Sequence, residues 1–213
     1  MTYYVDVDAL LVHVDDVPAF PVVANVDNDD EATDLDWVTS QEAVYTSPLG
    51  VDTDLDAPDL TNGTVTINWP TDASLFTDPG LGFLTVTLKG AGSLSAVVEP
   101  IQVIAELPGR WLTCAQARRV WDDANDLDNG ELWALLESAR RACIEYAPAI
   151  DESEPLPPTY RQAQLIQARN TWEATRAGGI ESVGPEGFSV VRHPLDWQVK
   201  QLLRPKSMPP VVT

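Results

Sequence analysis

The sequence predicts an α+β chain with an antiparallel β-sandwich over residues 1–109, an α-helical domain with a β-hairpin over 110–203, and an extended tail over 204–213. Three observations predict it. Short runs in the first half alternate apolar and polar residues, the period of a strand with one buried face. From Arg110 onward the apolar period becomes that of a helix. Charge breaks at the same place: residues 1–109 hold 19 acidic residues and one basic residue, Lys89, whereas residues 110–213 hold 14 acidic and 12 basic. The formal net charge of −20 is thus −18 in the first half and −2 in the second, which points to two modules under different constraints. A salt-adapted protein would be acidic throughout.

In the first module, Leu10-Leu11-Val12-His13-Val14 and Phe20-Pro21-Val22-Val23-Ala24 read as strands closed by Asp-rich turns. Thr64-Val65-Thr66-Ile67-Asn68-Trp69 alternates strictly and places Val65, Ile67 and Trp69 on one face. Phe83-Leu84-Thr85-Val86-Thr87-Leu88-Lys89 does the same with Leu84, Val86 and Leu88, and Gly90-Ala91-Gly92 ends it. Ile101-Gln102-Val103-Ile104-Ala105 follows Pro100, a tolerable strand start. Regular strand spacing without helical stretches suggests an immunoglobulin-like architecture, although the cysteine pair and buried tryptophan of antibody domains are absent.

The second module opens with Thr113 as N-cap and Gln116 completing a capping box, so a helix over 114–124 should bury Cys114, Ala117, Val120 and Trp121. A helix over 131–147 carries Leu132, Leu135, Leu136, Ala139, Cys143 and Tyr146 along one stripe, and Pro148 ends it. An acidic, proline-rich linker, residues 151–158, precedes the longest helix, 159–177, whose apolar seam is Leu165, Ala168 and Trp172 with Tyr160 and Ile166 nearby. Gly178-Gly179 stop it. Residues 180–193 read as a hairpin around Gly184-Pro185-Glu186-Gly187, and a short helix follows over 196–203. Pro205, Pro209 and Pro210 keep the tail extended.

Composition excludes several classes of function. No apolar run approaches the roughly 20 residues of a membrane span, and the first residues lack the regions of a signal peptide, so a cytoplasmic product is expected. The acidic first module would be repelled by nucleic acid phosphates. Cys114 and Cys143 read as reduced core residues, and two cysteines with two distant histidines cannot build a zinc site. An EF-hand with Gly130 at its sixth position would put Leu127 and Leu136 where oxygen ligands are required, so the carboxylates around 122–128 read as helix caps. His13 and His193 lie in different modules, and no Gly-x-Ser-x-Gly, His-Glu-x-x-His or phosphate-binding glycine loop is present. No catalytic residue, metal or cofactor is expected. Arg118-Arg119 and Arg140-Arg141 have Asp122, Asp123, Glu137 and Glu145 within a turn or two, which favours ion pairing over DNA contact.

The order of elements in the second half carries a resemblance. Gln162-Ala163-Gln164-Leu165-Ile166-Gln167-Ala168-Arg169-Asn170-Thr171-Trp172-Glu173 is similar to the long helix of head-to-tail adaptors of tailed bacteriophages, those of actinobacteriophages in particular. Gly184-Pro185-Glu186-Gly187-Phe188-Ser189-Val190-Val191-Arg192 and Gln201-Leu202-Leu203-Arg204-Pro205 resemble those proteins as well, and the likeness spans about residues 110–208. It implies a structural virion protein made in the host cytoplasm and located at the neck. Subunits would form a ring, commonly a dodecamer, beneath the portal protein. The ring would continue the channel through which genomic DNA passes without sequence preference and offer a surface to the next neck, stopper or tail protein. The shortest family members have little beyond the helical module, so residues 1–109 are a departure.

That role implies site residues. Leu202, Leu203, Arg204, Pro205, Lys206, Met208 and Val211 are the portal-contacting candidates. Val183, Gly184, Gly187 and Phe188 mark the hairpin as a channel or ring contact. Arg161, Arg169, Trp172, Arg176 and Trp197 are the ring-interface candidates. Physical chemistry agrees independently. Five tryptophans fall within about a hundred residues, each able to bury roughly 150–250 Å², which is more than one small core absorbs. Arg161, Arg169 and Arg176 lie near one helix face, suited to a neighbour's acidic surface. Two rivals stay open: a cytoplasmic β-sandwich binding module with a helical dimerisation domain, and a DNA-binding regulator reading with helix 159–177.

Overall fold

Alternation builds the first unit. The computed structural model describes residues 3–5, 7–27, 35–70, 73–92, 94–107, 109–148, 156–178 and 194–204. The chain divides into two compact units, Met1–Leu107 and Pro108–Thr213. Unit one holds β1 (Tyr4–Val5), β2 (Leu10–His13), β3 (Val22–Asp27), β4 (Val38–Thr46), β5 (Asp52–Leu55), β6 (Asp59–Thr61), β7 (Thr64–Ile67), β8 (Gly80–Gly90), β9 (Ser95–Val97) and β10 (Ile101–Glu106). They form two sheets, in the order β1-β3-β7-β6 and β2-β10-β8-β4-β5, with β9 paired to β8.

The sheets are not purely antiparallel as expected. Strand β2 runs parallel to β10, with Leu10 opposite Val103, so the second sheet is mixed. Parallel neighbours need a long crossover, and here everything between β2 and β10 serves as one. The run read from Phe20 begins instead at Val22, because Pro21 has no N–H to donate and Phe20 is 81% exposed. Between β6 and β7 the two-residue turn Asn62-Gly63 takes φ of 51° and 79°, the left-handed geometry that a tight hairpin demands.

One apolar core joins the two sheets: Val22, Ala24 and Val26 of β3 and Val65 and Ile67 of β7 pack with Tyr45, Leu84, Val86, Leu88 and Val103. Each such side chain, fully buried, contributes roughly 1.5–3 kcal/mol. Phe76 stands edge-on to Tyr45 at 5.2 Å and to Trp69 at 5.3 Å, so aromatic carbon closes one part of this core.

Unit two holds α1 (Cys114–Val120), a 3-10 turn (Asp122–Asn125), α2 (Asn129–Tyr146), α3 (Pro158–Gly178) and α4 (Trp197–Leu203). The capping box of Thr113 and Gln116 starts α1 as the sequence predicts. The helix stops at Val120 rather than at 124. Trp121 turns extended and is 2% exposed, while Val120 is left 59% exposed. Burying the larger indole outweighs continuing the helix to bury a valine. Asp128 caps α2 by accepting from Glu131 N at 2.6 Å, and Leu132, Leu135, Leu136, Ala139 and Cys143 form its buried stripe.

The buried face of α3 differs from the expected seam. Tyr160, Ala163, Gln164, Gln167, Ala168 and Thr171 are buried, whereas Leu165, Ile166 and Trp172 are only half-buried. Tyr160 and Ala163 pack with Cys143 of α2, Leu156, and Val199 and Leu203 of α4. Among the described residues no helix is long and apolar enough to cross a membrane. The hairpin expected over 180–193 lies outside the described residues.

Candidate functional site

Polar groups on α3 and α4 divide into those used within the unit and those turned to solvent. Arg161 belongs to the first group. Its Nε donates to Arg110 O at 2.7 Å and its Nη2 to Gly109 O, so the guanidinium holds the chain that enters α1. Gln164, 1% exposed, accepts from Leu112 N at 2.8 Å and donates to Leu136 O at 3.0 Å. One buried amide therefore ties α3 to both the entering strand of chain and α2. Arg161 is thereby engaged within its own chain.

The other ring candidates face outward. Arg169 and Arg176 are exposed on α3, and Trp172 lies between them. Trp172 stands edge-on to buried Trp121 at 5.5 Å, and the Arg176 guanidinium lies 4.6 Å from its ring centroid. A cation over an indole of this kind contributes roughly 0.5–1 kcal/mol and fixes the arginine in place. Trp197, the first residue of α4, is 66% exposed.

The portal candidates split as well. Leu203 is 1% exposed and packs in the core of α2, α3 and α4, and its carbonyl accepts from Tyr160 Oη at 3.2 Å. Leu202 is half-buried and lines an open groove of about 660 Å³ with Pro148, Pro157, Thr159, Tyr160 and Arg204. Arg204 is exposed, with its guanidinium 4.7 Å from the Tyr146 ring centroid. Pro205, Lys206, Met208 and Val211 lie outside the described residues, as do Val183, Gly184, Gly187 and Phe188.

The arginine pairs of α1 and α2 behave differently from each other. Arg118 makes no ion pair among the described residues, contrary to expectation: its fork donates to Ala124 O, Leu127 O and Asn129 Oδ1 and so closes the loop between α1 and α2. Arg140 and Arg141 both reach Glu137, at 2.6 Å and 2.7 Å. Burial pushes the Glu137 carboxyl up, but hydrogen bonds from Arg140 and Arg141 outweigh it and leave the group below its ordinary value. Cys143 is buried and free, and burial pushes its thiol up to about 12. Of the acidic loop, Asp123 accepts from Trp121 Nε1 and Asp128 caps α2. Among the described residues no group of three or more His, Cys, Asp or Glu could hold a metal ion.

Sequence reasoning missed the structural role of Gln164 and read Leu165 as seam where it is half-buried. The signal was present in Tyr160, Ala163, Gln164, Gln167 and Thr171, which share a helical face, but the amides hide that face from an apolar pattern. No protein-family model matches the chain, and no curated protein is similar to it in sequence.

Proposed function

We propose that this chain is a structural virion protein, a head-to-tail adaptor that forms a ring beneath the portal and carries its β unit on that ring. The order of elements carries the reading: two packed helices, an acidic proline-rich stretch, a long helix, then a short helix running directly into a proline-rich tail. Exposed Trp197 and the groove beside Leu202 lie where the chain passes into that tail, which suits a segment that acquires its partner on assembly. The role is mechanical, without catalysis or cofactor, and DNA would pass through the channel without being read.

For the β unit the reading is immunoglobulin-like. Its supporting observation is strand order: β1-β3-β7-β6 follows the A-B-E-D sheet and β10-β8-β4-β5 the G-F-C-C′ sheet of variable-type domains. Such a unit serves as a display module whose carboxylates keep the particle surface soluble.

Co-assembly tests the adaptor role. Mixing the chain with the portal protein encoded in the same genome and imaging by cryo-electron microscopy should show a closed ring beneath the portal, weakened by deletion of 204–213. A stable dimer with no portal association would sink this reading in favour of a binding module.

A further inference from the structure

Exposed apolar residues and exposed charges coincide at two places, and their charges are opposite. The first is the outward stripe of α3. Leu165, Arg169, Trp172 and Arg176 recur at spacings of 4, 3 and 4 residues, which puts them on one face, away from buried Gln164, Gln167 and Thr171. Leu165 and Trp172 give half-buried apolar surface, and Arg169 makes no ion pair among the described residues.

The second is the β5 edge of the acidic unit. Phe83 lies opposite Thr46 and Thr46 opposite Asp52, so the three side chains share the outer face of the sheet. Asp54 follows on the same face, opposite Val44. The turn between β4 and β5 carries Leu49, 72% exposed, and Val51, 60% exposed, and Phe83 is 39% exposed. Asp52 and Asp54 are both exposed, and the one basic residue of the unit, Lys89, is already paired with Glu42. Like charge keeps two such acidic faces from meeting each other.

We propose that the α3 stripe of one copy docks on the β5 edge of a second copy, with Arg169 and Arg176 facing Asp52 and Asp54 and with Leu165 and Trp172 against Leu49, Val51 and Phe83. Charge complementarity selects the occupant, since a unit with 19 acidic residues and one basic residue is the strongest anionic surface the protein itself supplies. Two different patches meet, so the contact is heterologous and propagates to a ring where the rotation closes. This inference rests on the ring reading for the choice of a second copy.

Charge reversal tests it in the full chain by sedimentation velocity. The unaltered chain should associate with rising concentration at low salt and dissociate as salt is added. Arg169→Glu with Arg176→Glu should weaken association at least about tenfold, and so should Asp52→Arg with Asp54→Arg. Mixed in equal amounts, the two variants should associate again, because each supplies the patch the other can meet. All four substituted positions are solvent-facing, and circular dichroism checks that the fold is kept. A chain monomeric at every concentration in low salt overturns the proposal. So does association untouched by either reversal, or variants that remain apart when mixed. A missing portal complex with this pairing intact would fail the adaptor reading alone.

Discussion

Where the first unit fills its centre with aliphatic and aromatic carbon, the second adds a buried amide, Gln164, that ties its helices together. Leu84, Val86, Leu88, Val65 and Ile67 need no partner of a particular geometry, and their pattern is visible at a period of two. In the helical unit Gln164, Gln167 and Thr171 occupy the buried face of α3, so its packing depends on hydrogen bonds that tolerate little displacement. The difference teaches that a small helical module can fix its inter-helix register with a buried amide as well as with carbon, leaving Leu165 and Trp172 only half-buried.

Gln164→Leu breaks that contrast most strongly. A leucine of similar volume fills the space but leaves Leu112 N–H without its acceptor and removes the tie to Leu136 O. An orphaned buried donor costs about 1–3 kcal/mol, and the lost second bond adds about 1 kcal/mol. Five of the seven tryptophans lie in the helical unit, so tryptophan fluorescence should report a lowered midpoint for its unfolding. An unchanged midpoint would mean the amide is not structural.

Glu137→Gln sharpens the comparison through charge. The carboxylate accepts from Arg140 through two bonds, at 2.6 Å and 2.8 Å, while Arg141 is largely exposed and contributes little. Loss of the pair should cost about 1 kcal/mol near neutral pH. The folded carboxyl sits below its ordinary value, so this stability is present above the unfolded pKa of about 4.3 and is lost as pH falls through the lower folded value. Urea titrations of both proteins should converge in strongly acidic solution. A difference that persists there would assign the effect to shape rather than charge.

Much of this fold was legible because local rules and tertiary packing agree. Thr113 and Gln116 announce the start of α1, and the stripe from Leu132 to Cys143 announces α2, since each depends only on neighbours within a few turns. What was not legible depends on distant partners. Nothing local in Leu10–His13 says that its neighbour is Ile101–Glu106, or that the pairing is parallel. The polar run Asp52–Leu55 gives no alternating signal, because it is an edge strand whose pairing with β4 is held by backbone bonds. Trp121 ends α1 early for a reason visible only once Trp172 stands beside it. At the candidate surface, Arg169, Trp172 and Arg176 were readable from helical spacing, whereas Arg161 shares their helix but is taken by two carbonyls of an entering segment 51 and 52 residues away.

The smallest expected effect at neutral pH lies in the first unit, where its carbon core meets the buried hydroxyl of Tyr45. Tyr45 is 1% exposed and its Oη has no hydrogen-bond partner among the described residues. The hydroxyl packs so close to Gly82 that a Cβ added there would lie 2.8 Å from it. Burial, helped by Asp78, pushes the phenol up to about 12. Tyr45→Phe removes a desolvated polar atom without changing the ring, so it should be neutral or stabilising by up to about 1 kcal/mol at pH 7. The phenol of the unfolded chain ionises near pH 10, whereas the folded one resists until about 12. Tyr45 therefore contributes stability that is fully present below the unfolded value and is lost as pH rises through the folded one. The phenylalanine variant lacks this loss, and its advantage should widen between those values when both proteins are melted side by side. A variant less stable at pH 7 would mean that the hydroxyl has a partner and that the carbon core of the first unit, like the helical one, depends on a buried polar bond.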